Sequence, residues 1–124
     1  MTVKFVIHGR LPDLNEYIRT ERGNRYAAAN LKKGVQQKIM AECRLQHPDV
    51  KFTGPVTMHY LWIETDRRRD CDNIAFAKKF IQDAFVGAGI LPDDSRKYVL
   101  GFSDDFDVDK GNPRVEVTIK EAKP

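Results

Sequence analysis

Apolar side chains alternate at the start of the chain, where Val3, Phe5 and Ile7 are separated by Lys4 and Val6. A period of two puts them on one face of an extended segment, so residues 3–8 predict a first strand. From Gly9 to Asn30 this order is lost. The stretch is polar, rich in Arg, Asn and Tyr, and punctuated by Pro12 and Gly23. It predicts a long loop with room for one short helical turn, and a loop of that length in a small domain is usually functional. Apolar residues then return every four positions, at Leu31, Val35, Ile39 and Cys43, with Leu45 following. Asn30 as N-cap and Pro48 as stop predict a helix over 30–46. Gly54 and Pro55 open a second strand over 55–64, rich in the β-formers Val56, Thr57, Tyr60, Trp62 and Ile63. Both of its faces turn apolar near the end, as in a central, covered strand.

A second helix follows, with Ile74, Ala77, Ile81, Ala84, Phe85 and Ala88 as its apolar stripe and Gly87 and Gly89 at its end. Asp72 or Asn73 is placed to cap it. Leu91–Ser95 reads as a turn into a third strand over 97–106. Val115, Val117 and Ile119 mark a fourth, paired with the third as a hairpin through Asp107–Pro113. The order β-α-β-α-β-β predicts an α/β (α+β) single domain over 1–124, a mixed sheet with helices packed on it. There is no internal repeat and no linker.

Composition adds limits to this outline. With 124 residues, 41% hydrophobic and 31% charged, the chain has the balance of a folded globule rather than a disordered segment. No apolar run approaches the ~20 residues needed to span a bilayer. Met1 to His8 lacks the basic start and apolar stretch of a signal peptide. The expected compartment is the cytoplasm, where Cys43 and Cys71, far apart and without CxxC spacing, stay reduced.

The net charge of +3 is modest, but its distribution is uneven. Cations gather at Arg19, Arg22 and Arg25, at Lys32 and Lys33, at Arg67, Arg68 and Arg69, at Lys78 and Lys79, and at Arg96 and Lys97. Acids gather at Asp70 and Asp72, at Asp93 and Asp94, and over 104–109. Basic clusters around a compact acidic focus suit an enzyme that holds a polyanion while binding a divalent cation. Asp70 and Asp72 are two apart, so on extended backbone both carboxylates point the same way and can share one cation. Magnesium takes one or two carboxylates with waters and substrate phosphate. The turn at Asp93 and Asp94 could deliver a third. The plain alternative is a solvated loop with Asp72 as helix cap.

Taken together, Arg67-Arg68-Arg69-Asp70-Cys71-Asp72-Asn73, then Lys79 four before Asp83, Ala84, Phe85, Gly89 and Asp93-Asp94-Ser95, resemble the RusA family of Holliday-junction resolvases. Gly9 to Tyr17, with Pro12 and Asn15, resembles the family's Pro-x-x-Asn segment, and Tyr26 to Lys33 the stretch after it. The resemblance implies a homodimeric, Mg²⁺-dependent endonuclease for branched DNA, with Mn²⁺ as a possible substitute, working on the nucleoid and common in phage and prophage. By position it implies Asp70, Asp72 and Asp94 as catalytic metal ligands and Lys79 as the essential lysine. Lys78 is an adjacent rival, because the stretch from Asn73 to the lysine looks about three residues longer than in the family's bacterial prototype. That is nearly one helical turn, which would keep Lys79 on the same face.

On this expectation Arg67, Arg68 and Arg69 grip phosphates beside the acids. Asn15, Arg19, Arg22, Arg25, Lys32 and Lys33 extend the DNA surface, with Tyr17 and Tyr26 available to stack on unpaired bases. His8, His47 and His59 show no ligand spacing, and Trp62 reads as core. Two other classes fit the sequence less well. Asp105, Asp107, Asp109 and Glu116 fall at EF-hand spacing, but Lys110 stands where the loop needs glycine and 115–119 reads as strand. A catalytically inactive DNA-binding protein would hold three acids beside phosphates without a metal, which is electrostatically costly. A magnesium nuclease for flaps or forks is not separable from a junction enzyme by sequence.

Overall fold

Four strands form one sheet in the computed structural model, which describes residues 1–122. Positions 123 and 124, the end of the expected 1–124 domain, lie outside the described residues. The strands are β1 (Thr2–His8), β2 (Val56–Glu64), β3 (Val99–Val108) and β4 (Arg114–Glu121), in the spatial order β1-β4-β2-β3. β2 runs parallel to β3 and antiparallel to β4, and β4 runs antiparallel to β1, so the sheet is mixed as expected. β2 is central, and Trp62, Ile63 and Glu64 at its end are all buried.

The expected hairpin is corrected. β3 and β4 are not neighbours, because β2 lies between them. The turn at Asp107–Pro113 exists, but it carries the chain across β2 rather than back along β3. Val115, Val117 and Ile119 are buried, which suits β4 to a covered place between two strands. β3 carries Asp104, Asp105 and Asp107 and takes the edge, where charge is tolerated.

The polar stretch 9–30 is also not a loop. It forms helix α1 (Leu14–Gly23) and the first turns of α2 (Arg25–Gln46). Asp13 caps α1, its carboxylate accepting the Glu16 N–H at 2.8 Å. Asn24 rather than Asn30 caps α2, accepting from the N–H groups of Tyr26 and Ala27. α1 has no fully buried residue, so it shows no apolar period; side-chain caps and ion pairs hold it.

The expected second helix is broken into α3 (Cys71–Ala75) and α4 (Lys78–Gly87). At the break, Ala77 N–H bonds Ile74 O and Lys79 N–H bonds Phe76 O, both three residues back, a tightened turn. Neither Asp72 nor Asn73 stands at the N-cap; Asp70 does, and its side chain makes no cap hydrogen bond. Gly89, at φ 77°, supplies the left-handed turn after α4.

Phe5 and Ile7, Met58, Tyr60 and Trp62, and Val115, Val117 and Ile119 line one face of the sheet against Ile39 and Cys43 of α2 and Phe80, Ile81, Ala84 and Phe85 of α4. Each such side chain contributes roughly 1.5–3 kcal/mol when fully buried. The polar tips are satisfied: Gln82 donates to the Tyr60 hydroxyl at 3.1 Å, and Trp62 Nε1 donates to Asp104 at 2.8 Å.

Candidate active site

The parallel pair β2–β3 ends beside α3, and at these carboxyl ends lies an open cavity of about 390 Å³. Crevices outside the carboxyl ends of parallel strands are the usual ligand position in αβ folds. Glu64, Asp66, Arg67, Asp70, Ile74 and Phe106 contribute to its lining. Asp70 precedes α3 and Asp72 sits on its first turn, both exposed. Asp70 makes no side-chain hydrogen bond at the cap, and Asp72 accepts only the neighbouring Asn73 N–H at 2.9 Å. Among the described residues neither carboxylate has an ion-pair partner, although three arginines immediately precede them.

Those arginines are directed differently. Arg69 turns inward, with only 15% of its side chain exposed. Its Nε meets Asp13 at 2.9 Å, one terminal nitrogen pairs with Glu16, and the other donates to Leu11 O at 3.1 Å and lies 3.6 Å from Glu64. Arg10 meets the same Glu64 at 2.9 Å. The guanidinium expected on phosphate is thus committed to fastening the site turn onto α1 and β2. Asn73 adds to this fastening: its Nδ2 donates to Asp13 at 3.0 Å, and its Oδ1 accepts the Asn15 N–H at 3.0 Å. Arg67 and Arg68 remain exposed, Arg68 only loosely paired with Asp66 at 3.7 Å.

The lysines also separate. Lys78 is 12% exposed, bonded to Asp104 at 2.6 Å and seated over the Phe102 ring at 3.7 Å. Lys79 is 60% exposed and lies 3.0 Å from both Asp83 and Asp94. The hydrogen bond that Lys79 donates to Asp83, then the one it donates to Asp94, raises the Lys79 pKa above its ordinary value, so the group stays protonated at neutral pH. The Lys79 hydrogen bond in turn lowers that of Asp94. Asp93 accepts the Asp94 N–H at 2.9 Å, fixing the turn and leaving Asp94 as the acid that faces α4.

Of the three expected acids, Asp70 lines the cavity, Asp72 is exposed on the first turn of α3, and Asp94 lies against Lys79. Among the described residues no three His, Cys, Asp or Glu side chains lie close enough together to hold a metal ion. The expected convergence of all three carboxylates is not assembled, and the third is paired with a lysine. Hard anionic oxygens free of competing cations at Asp70 and Asp72 do fit a hard divalent ion, which needs only one or two carboxylates with water.

Of the expected DNA-facing residues, Asn15, Arg19, Arg22, Arg25 and Lys33 are exposed along α1 and α2. Lys32 instead pairs with Asp83 at 3.4 Å. The EF-hand spacing leads nowhere: Glu116 lies in a strand, hydrogen-bonded to Arg114 at 2.8 Å and paired with Lys4. His59 contacts Ser103 and Asp105 and takes no part in the site. Sequence reasoning missed Asp13, Glu16 and Glu64 as the anchors of Arg69. Asp13 three residues before Glu16, the spacing of a helix cap with an acid in the first turn, was the available signal.

A two-layer αβ domain with free carboxylates and exposed cations around one crevice suits hydrolysis of a phosphodiester with the help of a divalent cation. The sequence signature of Endodeoxyribonuclease RusA matches residues 10–120, and the chain belongs to that family. It is accordingly an endodeoxyribonuclease of the Holliday-junction resolvase type, a divalent-metal-dependent hydrolase acting on branched DNA. No curated protein matches the chain. Among the described residues no helix is long and apolar enough to cross a membrane.

Proposed function

We propose that this chain is a Mg²⁺-dependent nuclease that resolves four-way DNA junctions by paired cuts as a homodimer. The carrying observation is the pair Asp70 and Asp72, exposed and without ion pairs among the described residues, with Asp70 and Arg67 both lining the cavity. Asp70, Asp72 and Asp94 hold the cation, which when bound supplies positive charge against the scissile phosphate and acidifies the attacking water. Lys79, protonated and on the open side of α4, offers its ammonium to the phosphoryl oxygen that gains charge. Arg67 and Arg68 grip flanking phosphates, and Arg19, Arg22, Arg25 and Lys33 extend the contact along α1 and α2. Arg69 and Lys32 act from within, by holding the site turn and Asp83.

A four-way junction has approximate two-fold symmetry, which a C2 homodimer matches with two equivalent sites. The edge strand β3 supports this pairing: its outer edge has no partner strand, and Leu100, Phe102, Phe106 and Val108 on it are exposed.

The deciding experiment is cleavage of synthetic four-way junctions, flaps and plain duplex, with and without Mg²⁺. Symmetric paired nicks in the junction are expected, lost in Asp70→Asn while junction binding persists. Equal cutting of plain duplex rejects the junction assignment; preferential cutting of flaps transfers it to that substrate; cutting by Asp70→Asn rejects the site.

A further inference from the structure

We infer that the Lys79 ammonium is a placeholder: in the metal-free protein it occupies the Asp94 carboxylate, and a divalent cation must displace it, with Asp83 retaining the displaced lysine. The inference rests on Asp70, Asp72 and Asp94 being the cation ligands. Among the described residues Asp94 is the one of those three acids that carries a salt bridge, at 3.0 Å to Lys79.

Lys79 is built to give up that contact without becoming unpaired. Its second partner, Asp83, is one helical turn along α4 at 3.0 Å. Asp83 is itself held from α2, by Lys32 at 3.4 Å and Gln36 at 3.4 Å. Asp94 sits on a short turn capped by Asp93, and its carboxylate lies beside that of Asp83 as well as Lys79. An ion arriving at Asp94 therefore meets a monovalent rival that can step back onto a fixed carboxylate. Lys78 cannot substitute, being committed to Asp104 and the Phe102 ring. Asp83 is by this argument a positioning residue: it holds Lys79 and sets how tightly Lys79 competes for Asp94.

The two charges make opposite predictions. Removing the lysine charge relieves the competition, so Lys79→Met is expected to bind the divalent probe about fivefold more tightly than wild type. Removing the charge of Asp83 leaves Lys79 dependent on Asp94 alone, so Asp83→Asn is expected to bind it more weakly by a similar factor. In Lys79→Met/Asp83→Asn the weakening should vanish, because no lysine remains to be retained. Mn²⁺ binding to the full chain, followed by the electron paramagnetic resonance signal of the free ion, measures all four proteins. Lys79→Gln serves as a second neutral variant, and Asp70→Asn as the ligand control. Tighter binding by both neutral variants, with the double variant insensitive to Asp83, establishes the placeholder. Unchanged affinity in Lys79→Met and Lys79→Gln, with Asp70→Asn still impaired, overturns it while leaving the metal site standing. Binding that Asp70→Asn does not weaken overturns both.

Discussion

Arg69 was visible in the sequence as the third of three identical cations, and nothing local distinguishes it from Arg67 and Arg68. Only the fold brings Asp13, Glu16 and Glu64 around it. Two of those acids are nearly buried, so removing the guanidinium leaves charges stranded in poor solvent. Arg69→Ala is expected to lower stability by about 2–4 kcal/mol, whereas Arg68→Ala stays within about 0.5 kcal/mol; urea unfolding of both variants checks the contrast. The adjacent lysines divide the same way. Lys78→Met should destabilise, through loss of its bond to the partly buried Asp104. Lys79→Met should leave the unfolding midpoint close to wild type while abolishing junction cleavage. The cysteines offer a third contrast: Cys43 is buried and its thiol is pushed up to about 12 by burial, then by Glu42, while Cys71 is exposed beside Asp70. One thiol of two should react with a disulfide reagent in the native protein at pH 8. The added group, between Asp70 and Asp72, should suppress cleavage.

At the scale of elements, what could be read was what buries an apolar stripe. The alternation of β1, the central place of β2 and the four-residue period from Leu31 to Cys43 all correspond to elements that cover the core. α1 was illegible because it buries no residue and depends on its caps and on Arg69. The β3–β4 hairpin was misread because a turn signal reports where the chain bends, not which strands become neighbours. The candidate site was legible where it is local, at Asp70 and Asp72, and illegible where a distant partner decides it, as with Asp94 and Lys79. Polar ties between strands have a measurable signature of their own. Glu116 on β4 is held below the usual carboxylate range, first by the Lys4 hydrogen bond from β1 and also by Arg114. A carboxylate depressed in the folded state stabilises fully above its unfolded value near 4.5, and this contribution is lost as pH falls below that value toward the folded pKa. Glu116→Gln should therefore cost about 0.5–1 kcal/mol at pH 7 and nothing once Glu116 is protonated in both states. Urea midpoints for the two proteins, compared across pH 3 to 7, test the window.

For the whole molecule, one chain presents one candidate site, while release of a four-way junction requires two cuts. In the proposed homodimer a second copy docked on the exposed edge of β3 would supply the other. Leu100 is the residue of choice for a test, since it is 53% exposed, lines no part of the cavity and is distant in sequence from Asp70 and Asp72. Leu100→Glu puts a carboxylate on the exposed apolar surface that a second copy would have to bury in pairing through this edge, and the open edge itself tolerates a carboxylate in water. The expected result is a shift from dimer to monomer by light scattering, with little change in the unfolding midpoint measured on the monomer. The consequence for chemistry is specific. Each monomer retains Asp70, Asp72, Asp94 and Lys79, so single nicks in the junction continue while paired, symmetric cuts within one binding event disappear. A supercoiled cruciform plasmid separates the two outcomes, because paired cutting linearises it and single nicking relaxes it to an open circle. If Leu100→Glu remains dimeric and still linearises the plasmid, the second copy docks elsewhere than on β3.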